Sequence, residues 1–295
     1  MASIVCNGVR FDAIRAVIFD KDGTLADSRQ YLWHLGEKRA DAIVQALKTA
    51  SFEKFWLRPG RNVPPKFPKT GDFKPVLVQS PPFMGDLGGD PTSQTQQINS
   101  IDLALKTAIL ETFGCNQTSI DPAGRLAVGT REENEIAIAS LIAETGYNLN
   151  QARSLVHAAF LAADQQLPRK APLTPLFVGV IELVKSLSPL KLGILSSDTE
   201  ANIQDFVETY QLSPYFSAIV GAQTGISKPN PKLLALACEA LNIEPETALV
   251  IGDTSADTKL TPRSIGVTWG GSTIEQLDNV AAVADQPADI QLCRI

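Results

Sequence analysis

The chain has 295 residues, 44% of them apolar, a formal charge of −6 and a mean hydropathy of +0.02. That is long enough for two packed domains and too apolar for a disordered chain. The acidic balance supplies no field that would draw in nucleic acid or an anionic membrane, so an anionic ligand has to be held by local cations and a metal.

The chain opens as a hairpin. Ser3–Cys6 and Val9–Phe11 flank Asn7-Gly8, a pair that tolerates the positive φ a type I′ turn requires. Ala16-Val17-Ile18-Phe19 follows as an unbroken apolar run ending in Asp20, the pattern of a strand buried on both faces of a parallel sheet. From about Ser28 to Ala171 the grammar changes. Amphipathic patterns near Gln30–Lys48, Ile98–Phe113, Arg131–Glu144 and Asn150–Gln166, with no convincing strand among them, predict a helical insert. Between Phe52 and Gln97 this insert holds eight prolines, too many for regular helix. Its first part, Phe52–Pro75, carries Lys54, Arg58, Arg61, Lys66, Lys69 and Lys74 against Glu53 and Asp72. Two readings of the stretch at about 52–97 stay open: a solvated excursion, or a basic flap that docks a partner.

Beyond the insert, helices are predicted over Pro175–Leu187, Glu200–Tyr210 and Pro231–Leu241. They alternate with apolar runs at Leu192–Leu195, Ala218–Val220 and Ala248–Ile251. This alternation predicts an α/β fold: a doubly wound, Rossmann-like parallel-sheet core from 1–27 and 172–295, interrupted by an inserted α-helical domain over 28–171. In such sheets chemistry gathers at the carboxyl ends of the strands. The four cysteines, Cys6, Cys115, Cys238 and Cys293, are scattered and form no metal-ligand spacing, so they read as reduced thiols of a cytoplasmic protein. No apolar run approaches a membrane span, and the N-terminus lacks a signal-peptide pattern.

Four polar clusters sit at the ends of apolar runs. In Asp20-Lys21-Asp22-Gly23-Thr24, two carboxylates just past a strand can face one cleft, one attacking phosphorus while the other donates a proton to the leaving oxygen. Gly23 permits a tight turn that brings amides near a phosphate. Ser196-Ser197 offers a hydroxyl and an N–H to phosphate oxygens. Lys228 stands just outside a helix start, with Asn230 as N-cap and Pro231 as the first helical residue, and can neutralise a transferring group. Gly252-Asp253-Thr254-Ser255-Ala256-Asp257 places two more acids after a strand, suited to a hard cation such as Mg²⁺. Each cluster alone has a bland reading as a turn or a surface pair. Four in order make a phosphoryl-transfer site.

The order D-x-D-G-T, Ser, Lys, G-D-x-x-x-D resembles the haloacid dehalogenase (HAD) superfamily. Phe19–Ser28 (FDKDGTLADS) and Gly225–Pro231 (GISKPNP) resemble its phosphoglycolate phosphatase and β-phosphoglucomutase branch. The resemblance implies that Asp20 is the nucleophile and that Asp22 protonates the leaving alcohol and then deprotonates the attacking water. It implies that Thr24, Ser196 and the Ser197 amide hold phosphate oxygens while Lys228 bridges Asp20 and the phosphoryl group. Mg²⁺ would sit on Asp20, the Asp22 carbonyl and Asp253, with Asp257 in support, and the insert would be a cap domain. The implied activity is Mg²⁺-dependent hydrolysis of a small phosphorylated metabolite through an aspartyl-phosphate, with no nucleic-acid or membrane partner. Alternatives are a phosphosugar mutase and a non-catalytic ligand-binding relative. Gly252 stands where the mutase pattern prefers Glu, which favours the phosphatase.

Outside these motifs, His34 and His157 read as packed or solvated helix residues, with contact to substrate open for His34 as for Trp33 and Arg39 near the start of the insert. Val128-Gly129-Thr130-Arg131-Glu132 resembles the branch's cap loop, in which Arg131 would meet substrate phosphate. Arg131 is equally an ordinary first-turn residue after a Thr130 cap. Lys21 is expected to point away from the cleft. The segment after Asp257 is short, and Pro262 interrupts the helix expected there.

Overall fold

The computed structural model describes residues 2–57, 91–278 and 280–293. The Pro-rich stretch at about 52–97, with its two readings, lies largely outside them. Nine strands are seen among the described residues: β1 (Ala2–Cys6), β2 (Val9–Ile14), β3 (Ala16–Phe19), β4 (Lys191–Leu195), β5 (Phe216–Val220), β6 (Ala248–Gly252), β7 (Ser264–Val267), β8 (Ala282–Ala284) and β9 (Ile290–Cys293). The helices are α1 (Arg29–Leu57), α2 (Pro91–Phe113), α3 (Arg125–Val128), α4 (Arg131–Glu144), α5 (Leu149–Asp164), α6 (Val180–Leu187), α7 (Glu200–Thr209), α8 (Pro231–Leu241), α9 (Ser255–Thr258) and α10 (Ile274–Leu277). The chain divides into two compact units, Met1–Trp33 with Gln117–Glu132 and Pro168–Ile295, and His34–Asn116 with Glu133–Leu167.

In the first unit a six-stranded sheet runs in the order β5-β4-β3-β6-β7-β8, every adjacent pair parallel. The predicted α/β class holds. All four residues of β3 are fully buried, because the strand has a packed layer on each side. Val17 and Phe19 join Leu192, Ile194, Leu249 and Ile251 in one core. Ala16 and Ile18 join Leu195, Ala248, Val250 and residues of α8 in the other. Burying each large apolar side chain of β3 stabilises the fold by about 1.5–3 kcal/mol. Phe19 lies opposite both Ile194 and Ile251, so the residues that follow β3, β4 and β6 leave the sheet along one carboxyl edge. The chain steps outward through β4 and β5, then returns to the far side of β3 with β6. Such a reversal opens a crevice at the strand ends, where ligands bind.

A second, three-stranded sheet has the order β2-β1-β9. Its hairpin turns at Asn7 (φ 46°) and Gly8 (φ 85°), as the Asn-Gly pair predicts. β9 completes this sheet by pairing antiparallel to β1. Its four residues were too few to read from alternation. α9 is a single turn that ends at Thr258, in keeping with the break expected near Pro262.

The second unit is helical. Ile43, Ile109, Phe113, Ile138, Ile142, Val156 and Phe160 are fully buried along α1, α2, α4 and α5. Within it, buried Arg39 grips Asp164 through two hydrogen bonds of 3.0 and 3.1 Å, and its guanidinium lies 4.3 Å from the Phe160 ring centroid. His157 is exposed and faces Glu135 at 3.0 Å, and His34 is also exposed, so both are surface residues of their helices.

Candidate active site

The site grows from the end of β3. Asp20 is held at the sheet edge by its own N–H, which donates to the Ile251 carbonyl at 2.8 Å. The chain then folds back on itself, with the Lys21 carbonyl accepting from the N–H groups of Leu25 and Ala26 at 2.9 Å each. Gly23 makes this possible at φ +91°, and a Cβ there would lie 2.1 Å from Asp253 Oδ2. Any side chain at position 23 would displace that carboxylate. Thr24 is fully buried, and its hydroxyl donates to Asp253 Oδ1 at 3.2 Å.

Lys228 arrives from the loop before α8. Asn230 caps that helix by accepting from the Lys232 N–H, and Pro231 follows, as the sequence pattern predicts. The Lys228 ammonium donates to Asp20 Oδ1 at 2.5 Å and to Asp257 Oδ1 at 2.7 Å. Burial disfavours its charge, but the two carboxylates outweigh burial and hold it protonated well above the usual lysine range. Asp257 is oriented by a capping box in which its Oδ2 accepts from the Thr254 N–H and hydroxyl at 3.2 and 2.5 Å. The close packing of Gly252 under this box matters chemically. A Cβ at Gly252 would lie 2.3 Å from Asp257 Cβ, so a larger residue at position 252 would push Asp257 aside.

Ser196 follows β4, its N–H donating to the Val220 carbonyl at 3.0 Å. The Ser197 hydroxyl donates to the Val128 carbonyl at 3.0 Å, which ties the last residue of α3 to the loop after β4. Asp20, Asp22, Ala127, Val128, Ser196, Ser197, Lys228, Thr254 and Asp257 together line one small cavity within the first unit. Thr24 and Asp253 lie behind that lining and Arg131, the first residue of α4, is not part of it. Asp20, Asp22, Ser196, Ser197, Lys228 and Asp257 are therefore brought together at this edge of the sheet, with Thr24 bonded to Asp253 beside them.

Oxygens of Asp20, Asp253 and Asp257 lie within 4.8 Å of one another, all three buried. Burial, then repulsion from Asp257 and Asp22, pushes the Asp20 carboxyl up to about 7 in spite of Lys228. Burial and the neighbouring Asp20 and Asp257 charges raise Asp253 well above the ordinary range. Three buried acids face one lysine, and a divalent cation among their oxygens would offset that excess charge. The donor set is all hard oxygen, which fits Mg²⁺.

Asp22 has different company. Lys21 Nζ lies 2.7 Å from each of its oxygens, Lys170 Nζ lies 3.0 Å from Oδ2, and both lysines also reach Asp198. Burial works against the Asp22 charge, yet Lys170 and Lys21 hold its carboxyl below the usual range. Lys21, expected to point away from the cleft, is not among its lining residues; it is buried with its ammonium on Asp22 and Asp198, which together attract it. Lys170 and Asp198 were not singled out from sequence. The nearest signal was an acid two residues after Ser196, and Lys170 carried none.

The fold and the site define a class: α/β proteins that gather acids and a buried lysine at the carboxyl edge of a doubly wound parallel sheet. The family model for haloacid dehalogenase-like hydrolases matches residues 14–259, and the chain belongs to that family. It is 40% identical over 78 residues to a phosphoglycolate phosphatase of Aquifex aeolicus, covering 26% of this chain and 36% of that one. It is 27% identical over 140 residues to phosphoglycolate phosphatase 1 of Pseudomonas aeruginosa, covering 41% and 51%. The matched stretches thus span between about a third and half of these relatives. A crystal structure titled a "predicted phosphoglycolate phosphatase" from Haemophilus somnus shares the fold, with a TM-score of 0.53 and 15% identity over 95% of this chain and 97% of that one.

Proposed function

We propose that the chain is a Mg²⁺-dependent phosphatase that hydrolyses a small phosphomonoester through an aspartyl-phosphate on Asp20. One observation carries this reading: Asp20, Asp22, Ser196, Ser197, Lys228 and Asp257, drawn from four separate loops, line one cavity. An Asp20 oxygen attacks phosphorus as the bond to the leaving oxygen breaks, and Asp22, which Lys170 and Lys21 keep ionised in the free site, has to take up a proton before it passes one to that oxygen. Lys228, already on Asp20, neutralises the phosphoryl charge, and Ser196 with the Ser197 amide holds phosphate oxygens. Water then attacks phosphorus, Asp22 takes its proton, and the Asp20–phosphorus bond breaks to release phosphate. Thr24 acts from behind the lining, where it steadies Asp253. Asp20, Asp253 and the Asp22 carbonyl, with Asp257 in support, would hold Mg²⁺, which when bound neutralises charge on the transferring group.

Gly252 favours hydrolysis over the mutase alternative, since the bulkier Glu of the mutase pattern would collide with Asp257. The helical unit we take as the part that selects substrate, a role in keeping with the two domains, 28–171 against 1–27 and 172–295, expected from sequence. Two of the relatives are named phosphoglycolate phosphatases, which makes phosphoglycolate the first small phosphorylated metabolite to test. Among the described residues no helix is long and apolar enough to cross a membrane. Three of the four cysteines are buried free thiols, which suits the cytoplasm.

The test is turnover of 4-nitrophenyl phosphate and a panel of phosphorylated metabolites with and without Mg²⁺. Activity should require the metal and vanish in Asp20→Asn. Turnover that survives this substitution would sink the covalent route.

A further inference from the structure

The turn after β3 is gripped by residues 245 positions further along the chain. Thr268 to Gly271, which follow β7, form a tight turn closed by the Gly271 N–H, which donates to the Thr268 carbonyl at 2.9 Å. Its base is fixed. The Thr268 N–H donates to the Ala284 carbonyl at 3.1 Å, and the Thr268 hydroxyl donates to Asp285 Oδ1 at 2.7 Å. Its two central residues, Trp269 and Gly270, press on Thr24 and Gly23. The Trp269 indole N–H donates to the Thr24 carbonyl at 2.8 Å. Gly270 lies so close that a Cβ there would come within 2.2 Å of the Gly23 carbonyl oxygen. Gly23 and Thr24 are also the residues that meet Asp253, the first by close approach and the second through its hydroxyl at 3.2 Å. Within the turn after β3, the Lys21 carbonyl accepts from Leu25 and Ala26, that of Ala26 from Gly23, and that of Thr24 from Trp269. The Asp22 carbonyl accepts from no backbone N–H among the described residues.

We infer that Trp269 and Gly270 are positioning residues of the cation site, a role that rests on the Mg²⁺ site of the proposed phosphatase. They fix the peptide groups of Gly23 and Thr24, and through them the Asp22 carbonyl and the Asp253 carboxylate. The Asp22 carbonyl belongs to the planar peptide unit that ends at the Gly23 nitrogen, so a rotation at Gly23 swings it. Mg²⁺ demands near-ideal octahedral geometry, and a carbonyl that swings is a poorer ligand. Without the indole hydrogen bond the turn samples other orientations, and the metal binds only the fraction that is correctly set. One neutral hydrogen bond changes such a population by about fivefold. Packing is a separate matter. Trp269 is half-buried against the core of the first unit, and a ring without the N–H fills much of the same space.

The experiment measures the Mg²⁺ dissociation constant by calorimetry on chelator-treated protein, with the metal-free thermal midpoint alongside. The proteins are the wild type, Trp269→Phe, Gly270→Ala and Gly271→Ala. Trp269→Phe keeps a packed ring without the donor and should bind Mg²⁺ about fivefold more weakly. Gly270→Ala pushes the Gly23 carbonyl directly and should weaken binding further. Gly271→Ala is the control: its φ of +105° makes the substitution strained, but its Cβ would meet Pro122 at 3.3 Å rather than the turn after β3. It should lower the metal-free midpoint and leave the dissociation constant unchanged. If Gly270→Ala fails to fold, Trp269→Phe and the control carry the same comparison. Mg²⁺ binding in Trp269→Phe as tight as in the wild type overturns the assignment and leaves the phosphatase reading intact. Equal weakening in Gly271→Ala does the same, since lost stability would then be the cause. A wild type that binds no Mg²⁺ overturns the cation site, and the assignment with it.

Discussion

Substituting Gly23 by alanine isolates the part of the site that depends on a missing side chain. Two costs arise. The backbone sits at φ +91°, and forcing an L-residue there costs about 1–2 kcal/mol. The new Cβ would also lie 2.1 Å from Asp253 Oδ2, 2.5 Å from Cγ and 2.8 Å from Oδ1, so the whole carboxylate has to move by about an ångström to reach ordinary contact. That movement breaks the hydrogen bond from Thr24, at about 1 kcal/mol. The sum is about 2–3 kcal/mol, and an ångström of misplacement in the site lowers turnover by about 10²-fold. Gly8 provides the control: its φ is +85° but its Cβ would meet nothing within 4 Å. Gly8→Ala should therefore show the backbone cost in a urea titration and keep full activity, while Gly23→Ala shows both costs and loses activity. Equal activity in the two variants would refute the claim that Asp253 has to stay where Gly23 lets it lie.

Two further outcomes follow from the same structure. Mg²⁺ should raise the thermal midpoint of the wild type in chelator-treated buffer, by an amount equivalent to about 2.7 kcal/mol at a hundred times its dissociation constant. Asp253→Asn should lose most of that shift, and an undiminished shift would remove Asp253 from the cation site. In the helical unit, Arg39→Ala leaves Asp164 without its two hydrogen bonds and strips the cation from the Phe160 ring. With Arg39 only 6% exposed but Asp164 a quarter exposed, the loss should be about 1.5–3 kcal/mol, read as an earlier denaturant transition. A midpoint within error of the wild type would mean that the pair carries no stability.

Much of this protein was legible wherever a local pattern had a local cause. A four-residue apolar run has to be buried on both faces, and β3 is. Asn-Gly needs positive φ at both positions and turns a hairpin. Asn230 and Pro231 cap and start α8 because only the first turn of a helix tolerates them. Polar residues at the ends of apolar runs converge because parallel strands in register release their chains at one edge. Other features depend on distance in space rather than in sequence. Val128 reaches the cavity while Arg131, three residues on, does not line it. Gln117–Glu132 clusters with the α/β unit although helical segments flank it on both sides. Lys170 and Asp198 belong to no motif, and Lys21 looked like a spacer. Their partner is Asp22, which no periodicity connects to them. Periodicity reports which face of an element is dry. Which charges share a buried volume is decided only when the strands pack and each ammonium has to find a carboxylate or lose its solvation uncompensated.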